Sequence, residues 1–316
     1  MNKKEIMNKK EIMNKKEILF YYESENNPNG DPGFENQPRL MPDETIMVTD
    51  VRIKRTMRDY AQTKHGQTLF VDYGKDGKPT TADKRAKEIV GGKKGDLILG
   101  LLEKTFDVPL FGALVTIRDE KKGGSQKLTG PLQFGISRSV NQVSIINPTI
   151  TGRFEGKTAK QTTIGKFYSV EYALIKVHGC LNPQNLGEYG KNKEIKEIFE
   201  EKAGMIFDCM WNGTNELVTR SKFPQRSILY IEVSYKDTIY NDLPNLVTEN
   251  DSLKGMAKEL GDKPFDFTNL IDTLSKRKKS VENVSVYGAC DIEKDVDQLV
   301  SALESKGISV EKLCQT

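Results

Sequence analysis

Residues 27–60 read NPNGDPGFENQPRLMPDETIMVTDVRIKRTMRDY and follow a short apolar run, Ile18–Tyr22. The run has the character of a buried strand. In the NPNGDPG segment, Asn, Asp and Gly accept unusual backbone angles and Pro fixes φ, which makes it a loop by mechanism. Thr49 or Asp50 is placed to cap a helix carrying Arg52, Lys54, Arg55 and Arg58. At 100° per residue Ile53, Met57 and Tyr60 share one face, and the four cations spread over the other side. Strand, backbone-exposing loop and cation-rich helix start together suit a polyanion, because free N–H groups and positive charge converge. Taken alone, the stretch also reads as a surface loop followed by a helix with a solvated basic face.

Outward from this stretch, Leu69–Gly95 is polar and is read as the start of an insertion with little to pack. Leu97–Phe106 reads as a short helix leading into FGALVTI, residues 111–117, and KKGGS at 121–125 as a loop. In LTGPLQFGISRSVNQVSII, residues 128–146, Leu132, Phe134 and Ile136 alternate with Gln133 and Gly135 as in a strand. The polar, basic segment 149–165 lies between strand-like flanks and is read as a protruding hairpin. Phe167–His178 is a strand with Val170, Tyr172 and Leu174 on one face and Ala173, Ile175 and Val177 on the other. Asn192–Trp211 has helical spacing, Gly213 is placed to close it, and Trp211 is read as core. Ser227–Tyr235 is a strand with Leu229, Ile231, Val233 and Tyr235 inward. A weaker region, a solvated turn at Thr273–Ser280, a strand at Val281–Tyr287 and a helix at Asp291–Ser305 follow. The order strand, helix, strand, strand, helix, strand is the ferredoxin-like plan. The fold class expected is therefore α+β, and such a sheet is a common platform for single-stranded RNA.

The chain has 316 residues and a formal net charge of +3 from 48 Lys and Arg against 45 Asp and Glu. That excludes a binder coated in charge and leaves room for a local basic groove. Cys180, Cys209, Cys290 and Cys314 form no CxxC pair and read as reduced thiols of a cytoplasmic protein. With His65 and His178 as the two histidines, a His/Cys metal centre is not expected, and no cofactor motif is found. MNKKEI occurs three times from Met1, too short a repeat for a solenoid. Residues 1–15 are set aside as a repetitive extension expected to be disordered, and 16–316 are read as one domain.

NPNGDP, VTDVRIKRTMRDY, LTGPLQFGISRS, FYSVEYALIKVHG and MWNGTNELVTRSKFPQ occur in this order. In them, over roughly Ile18–Tyr235, the chain resembles the Cas-seven family of CRISPR-associated proteins. These are RAMP-type backbone subunits of type I Cascade interference complexes in antiviral defence, and the likeness is greatest to the type I-B branch. The resemblance implies a modified RRM-like palm with a helical fingers insertion, about 66–124, and a β-hairpin thumb, about 147–165. Gln37 and Gly33 depart from the family's usual Arg and acidic residue.

The resemblance further implies partners: a CRISPR guide RNA (crRNA), other copies in a helical filament, other Cascade subunits, and the target DNA strand through guide pairing. RNA contacts are implied at Thr49, Arg52, Lys54, Arg55 and Arg58, with Asn29 shaping the loop. Arg39 reads as a phosphate contact or as half of a salt bridge. Gln133, Ser137, Arg138 and Ser139 end the GPLQF strand, where an Arg flanked by hydroxyls suits a phosphate. In the thumb, Arg153 and Phe154 are candidates, Phe154 as a wedge between bases or as packing within its hairpin. Lys222 lies in the NGT…RSK segment, which serves equally as RNA contact or structural turn. No catalytic residue is assigned. The alternatives are an endoribonuclease using Asp31, as in related type III subunits, and a free-standing RNA- or DNA-binding regulator.

Overall fold

The computed structural model describes residues 14–91, 96–117, 124–147, 149–156 and 159–314; for 117, 149–156 and 159–166 the description is of the backbone alone. The first two MNKKEI repeats lie outside the described residues; the third, at 13–18, is described from Asn14 and enters the first strand at Lys15. The chain is α+β, built on a nine-stranded mixed sheet.

β1 (Lys15–Asn26) lies at its centre, antiparallel to β9 (Ser169–Leu181) on one side and β10 (Gln225–Tyr235) on the other. Beyond β9 come β5 (Leu132–Phe134), β6 (Ser137–Gln142) and the edge strand β2 (Thr45–Val48). Beyond β10 come β11 (Val281–Gly288) and β12 (Val310–Lys312), the last pair parallel.

Alternation along the central strands makes two cores. Ile18, Phe20, Tyr22, Ala173, Ile175, Val177 and Tyr230 point to one face. There they meet α1 (Asp50–His65), α5 (Lys193–Gly204) and α6 (Ile206–Asn215). Leu19, Tyr21, Tyr172, Leu174, Leu229 and Ile231 point to the other. That face is covered by α7 (Thr268–Lys276), α8 (Glu293–Ser305) and the segment from Leu243 to Phe267. The expectation of an open sheet platform is therefore corrected: Tyr21 is fully buried, and its hydroxyl donates to Glu249 Oε1 at 2.5 Å. Val170 is also corrected. A bulge between Ser24 and Asn26 shifts its register, and it packs with the first core instead of with Tyr172 and Leu174.

The segment after α1 is not the unpacked loop its polarity suggests. It contains α2 (Ala82–Val90), capped by Thr81, whose side chain accepts from Lys84 N, and ended at Gly91 in the left-handed region. Arg85 ties α2 back to Leu69 O at 2.8 Å, and Leu69 is fully buried. α3 (Leu97–Lys104), α4 (Asp107–Phe111) and the hairpin of β3 (Gly112–Ile117) with β4 (Gly124–Thr129) complete the inserted unit. KKGGS thus ends inside β4; its first three residues lie outside the described ones. The two ends of this hairpin cross at Gly112 and Gly130. A Cβ on Gly130 would sit 2.1 Å from Phe111 C, so no side chain fits there.

Four further expectations change. Ile136 does not continue the alternation: the strand breaks at Gly135, whose N–H goes to His178 O, and Ile136 is 64% exposed. The helix expected over Asn192–Trp211 is two, broken at Met205. Gly213 lies within α6 instead of closing it, because α6 packs closely on α1: a Cβ there would meet Tyr60 Cβ at 3.1 Å. Thr273–Ser280 is half helix, since Leu270 and Leu274 of α7 reach the second core. Trp211 is core, 2% exposed, edge-on to Tyr287. Segment 149–165 is a two-stranded hairpin, β7 (Thr149–Gly156) with β8 (Ala159–Lys166).

Candidate nucleic-acid interface

The loop after β1 is a braced turn. Gly30–Asp31 pairs with Gln37–Pro38. The Asp31 carboxylate accepts from Gly33 N at 2.9 Å, and its carbonyl accepts from Phe34 and Asn36 N. Arg39 Nε lies 3.5 Å from Asp31 Oδ2, so of the two readings of Arg39 the salt bridge is present. Asn29 is buried and donates to Met47 O at 3.3 Å; it shapes the loop from within. The loop is bound to the turn before β10: Asn27 N donates to Ser221 O at 2.9 Å and Lys222 Nζ to Asn27 O at 2.6 Å.

α1 starts beside this brace. Thr49 is its N-cap in extended conformation, but its hydroxyl makes no capping bond. Arg52, in the first turn, is half-buried and donates from Nη2 to Thr56 Oγ1 at 2.7 Å. Among the described residues neither Arg52 nor Lys222 has a carboxylate within 4 Å, whereas the buried or half-buried Lys16, Lys54, Arg58, Lys176 and Arg277 each do. Burial, and then the nearby Arg52 charge, bring the Lys222 amine down to about 8. Burial likewise lowers Arg52. Two partly desolvated cations near a helix N-terminus, with no carboxylate beside them, make a setting that favours an anion.

The sign of the pH dependence follows. An anion between the two cations favours the charged amine, so anion binding takes up a proton at and above pH 8. Affinity for a polyanion is expected to hold below pH 7 and to fall above 8, by up to about tenfold per pH unit per site. Stability of the free protein moves the other way. Folding lowers this amine from 10.5 to about 8, so the unfolded chain binds more protons between those values. The contribution to stability therefore rises with pH across that window. A titration of RNA affinity from pH 7 to 9, flat in Lys222→Met and falling in the parent, checks the first arm.

The other cations of α1 are committed elsewhere, which corrects their assignment to one solvated face. Arg58 is buried: Nε donates to Asp107 Oδ2 at 2.8 Å and the guanidinium stacks on Phe111, 4.9 Å from the ring centroid. The inserted unit packs over the flank of α1 where Lys54 and Arg58 emerge. Lys54 is buried too, paired with Asp50 at 2.9 Å and bonded to Gln133 Oε1 at 3.3 Å. Lys54 and Gln133 are thus brought together. Arg55 pairs with Asp59 on the exposed side.

The hydroxyls do not flank Arg138. Successive strand residues point to opposite faces, so Ser137 and Ser139 turn into the fold while Arg138 is exposed. Ser139 Oγ accepts from Ile46 N at 2.8 Å and donates to Asn141 O at 2.6 Å, which uses it structurally. Ser137 Oγ is buried without a partner. Arg138 stands opposite Met47 and Lys176, on the face that carries Tyr21. It has no ion pair among the described residues, whereas Lys176 is held by Glu249 at 2.8 Å. The candidates thus form two groups, Arg52 with Lys222 at the loop and Arg138 on the other face. The side chains of Arg153 and Phe154 lie outside the described ones.

The comparisons with known proteins agree on one family. The model of the family described as CRISPR-associated protein Cas7 matches residues 14–269. The chain belongs to that family. A Haloferax volcanii relative, CRISPR-associated protein Cas7, is 28% identical over 318 aligned positions, covering 90% of each chain. Among solved structures, a chain of a CRISPR RNA-guided surveillance complex superposes with a TM-score of 0.50 at 10% identity, covering 87% of this chain and 89% of that one. A chain of such a complex in a pre-nicking state gives 0.50 at 12% identity, covering 92% and 100%. At these identities the likeness is one of fold. Among the described residues no helix is long and apolar enough to cross a membrane.

Proposed function

We propose that this Cas7 family member is a non-catalytic, guide-RNA-binding backbone subunit of a type I, and specifically I-B-like, CRISPR surveillance complex. Copies stack head to tail along the crRNA, alongside other Cascade subunits, and present it for pairing with target DNA. The observation that carries this is the Arg52–Lys222 pair, two cations held half-buried without a carboxylate beside the braced loop. A backbone phosphate supplies the missing charge. Phosphate contacts position a strand without reading its sequence, which a spacer-indifferent subunit requires, and head-to-tail contacts that do not close give a filament.

The connectivity supports an RRM-like palm. The sheet order β10–β1–β9–β6, with α1 after the first strand and α5–α6 between the third and fourth, is the ferredoxin-like arrangement. The inserted unit is read as fingers and the β7–β8 hairpin as thumb. Because both sheet faces are covered, RNA is expected along the loop and the α1 start instead of across the sheet. Asp31 is spent on its turn and on Arg39. His65 lies at the far end of the 16-residue α1, about 24 Å away. His178 pairs with Leu19, separated from the loop by the strand from Leu19 to Asn26, about 23 Å. This favours the scaffold over the nuclease.

Purification with bound nucleic acid, sequencing of that RNA and electron microscopy of the particles test the proposal. Repeat- and spacer-derived RNA in regular filaments is the expected result. Discrete monomers or dimers without such RNA overturn it in favour of a free-standing regulator.

A further inference from the structure

The segments that border the Arg52–Lys222 pair in the fold carry exposed apolar side chains as well as charge. Phe34 on the loop, Val51 on α1, Ile136 before β6, and Val218 and Phe223 before β10 are all exposed. A ligand that is only a polyanion has no use for such a border. A single-stranded nucleic acid does, since its phosphates are charged and its bases have apolar π-faces.

Of these residues Phe223 is the most firmly presented. Its N–H donates to Thr219 O at 3.0 Å. Its carbonyl accepts from the Asn26 side chain. The neighbouring Lys222 N also donates to Thr219 O, at 3.2 Å. The backbone of the turn is thus fixed on both sides of the residue, while Phe223, next in the chain to Lys222, is left 55% exposed. A ring held this way loses little freedom when something stacks on it.

The geometry points to Phe223 as a stacking platform for one base of the bound single strand, next to the phosphate held by Arg52 and Lys222. This rests on the RNA-binding reading above and adds to it a residue that touches a base. Stacking is sequence-tolerant because every base has a π-face, so the contact suits a guide of any spacer.

The experiment compares two probes on the full chain, a fluorescein-labelled oligouridylate and inorganic polyphosphate, which has the charge but no bases. Phe223→Ala is expected to weaken oligouridylate binding by about tenfold and to leave polyphosphate binding unchanged. Phe223→Tyr should retain affinity, and the emission of Phe223→Trp should be quenched by the RNA and not by polyphosphate. Unchanged RNA affinity in Phe223→Ala, with no quenching in Phe223→Trp, overturns the inference. So does a loss shared equally by both probes, or shorter particles at unaltered affinity, which marks a contact between copies. If the parent does not bind oligouridylate, the RNA-binding reading falls and this inference with it. If only the Phe223 variants are silent, that reading stands and the platform alone is wrong.

Discussion

Asp107→Ala is expected to lower the stability of the protein by about 3–5 kcal/mol, the usual cost of leaving one member of a buried ion pair alone. Asp107 is fully buried. Its carboxylate accepts from Arg58 Nε at 2.8 Å, Phe70 N at 2.8 Å and Val71 N at 3.0 Å. One side chain therefore fastens the inserted unit to α1 and satisfies two backbone donors where the chain leaves α1. Truncation strands a guanidinium and two N–H groups in the first core. Asp107→Asn should recover part of the loss, because an amide oxygen still accepts. Urea denaturation midpoints of the three proteins measure this, and a loss below about 1 kcal/mol in Asp107→Ala would show that the pair does not anchor the unit. The same geometry predicts that Arg58→Met damages folding more than RNA affinity. At low temperature, where the variant stays folded, its affinity should approach that of the parent.

The Arg52→Gln/Lys222→Met double variant should show the reverse pattern. Each charge-assisted bond to a phosphate contributes about 1.5–3 kcal/mol, so RNA affinity should fall about 100-fold or more. The slope of log affinity against log salt should flatten by about 0.7, the single-strand value for the one phosphate that the two cations share. Stability should hold or rise, because two partly desolvated like charges are removed and no carboxylate loses its partner. Fluorescence anisotropy at several salt concentrations, with a thermal melt of the same preparation, reads both effects. Undiminished affinity would refute the assignment of these residues to the RNA site. A large fall in melting temperature would mean that they serve the fold.

The sequence was most legible where a residue's neighbours along the chain decide its environment. The apolar run at Ile18–Tyr22, the alternation over 167–178 and 227–235, the helix after Thr49 and the hairpin over 149–165 are local patterns, and an element stands at each of them, with Val170 shifted by a bulge. The carboxylate brace of Asp107 and the helix from Ala82 to Val90 were not legible in the same way. The charged residues of that segment look solvated until the unit they belong to folds against α1.

By itself the sequence determined the strand–helix–strand–strand–helix–strand order of the central sheet, the turn chemistry of the loop after β1, and the family motifs that carry the resemblance. Only the tertiary structure decided which cations are free to bind. Arg52, Lys54, Arg55 and Arg58 look equivalent as a helix face. Packing of the inserted unit buries Lys54 and Arg58 against Asp50, Gln133 and Asp107. Arg55 finds its acid one turn on. Arg52 instead receives Lys222 as a neighbour, from a turn held to the loop by a bond between residues 195 apart in the chain. Helical period fixes the direction in which a charge leaves the backbone; whether that charge meets a carboxylate, another cation or solvent depends on elements that arrive from elsewhere in the fold.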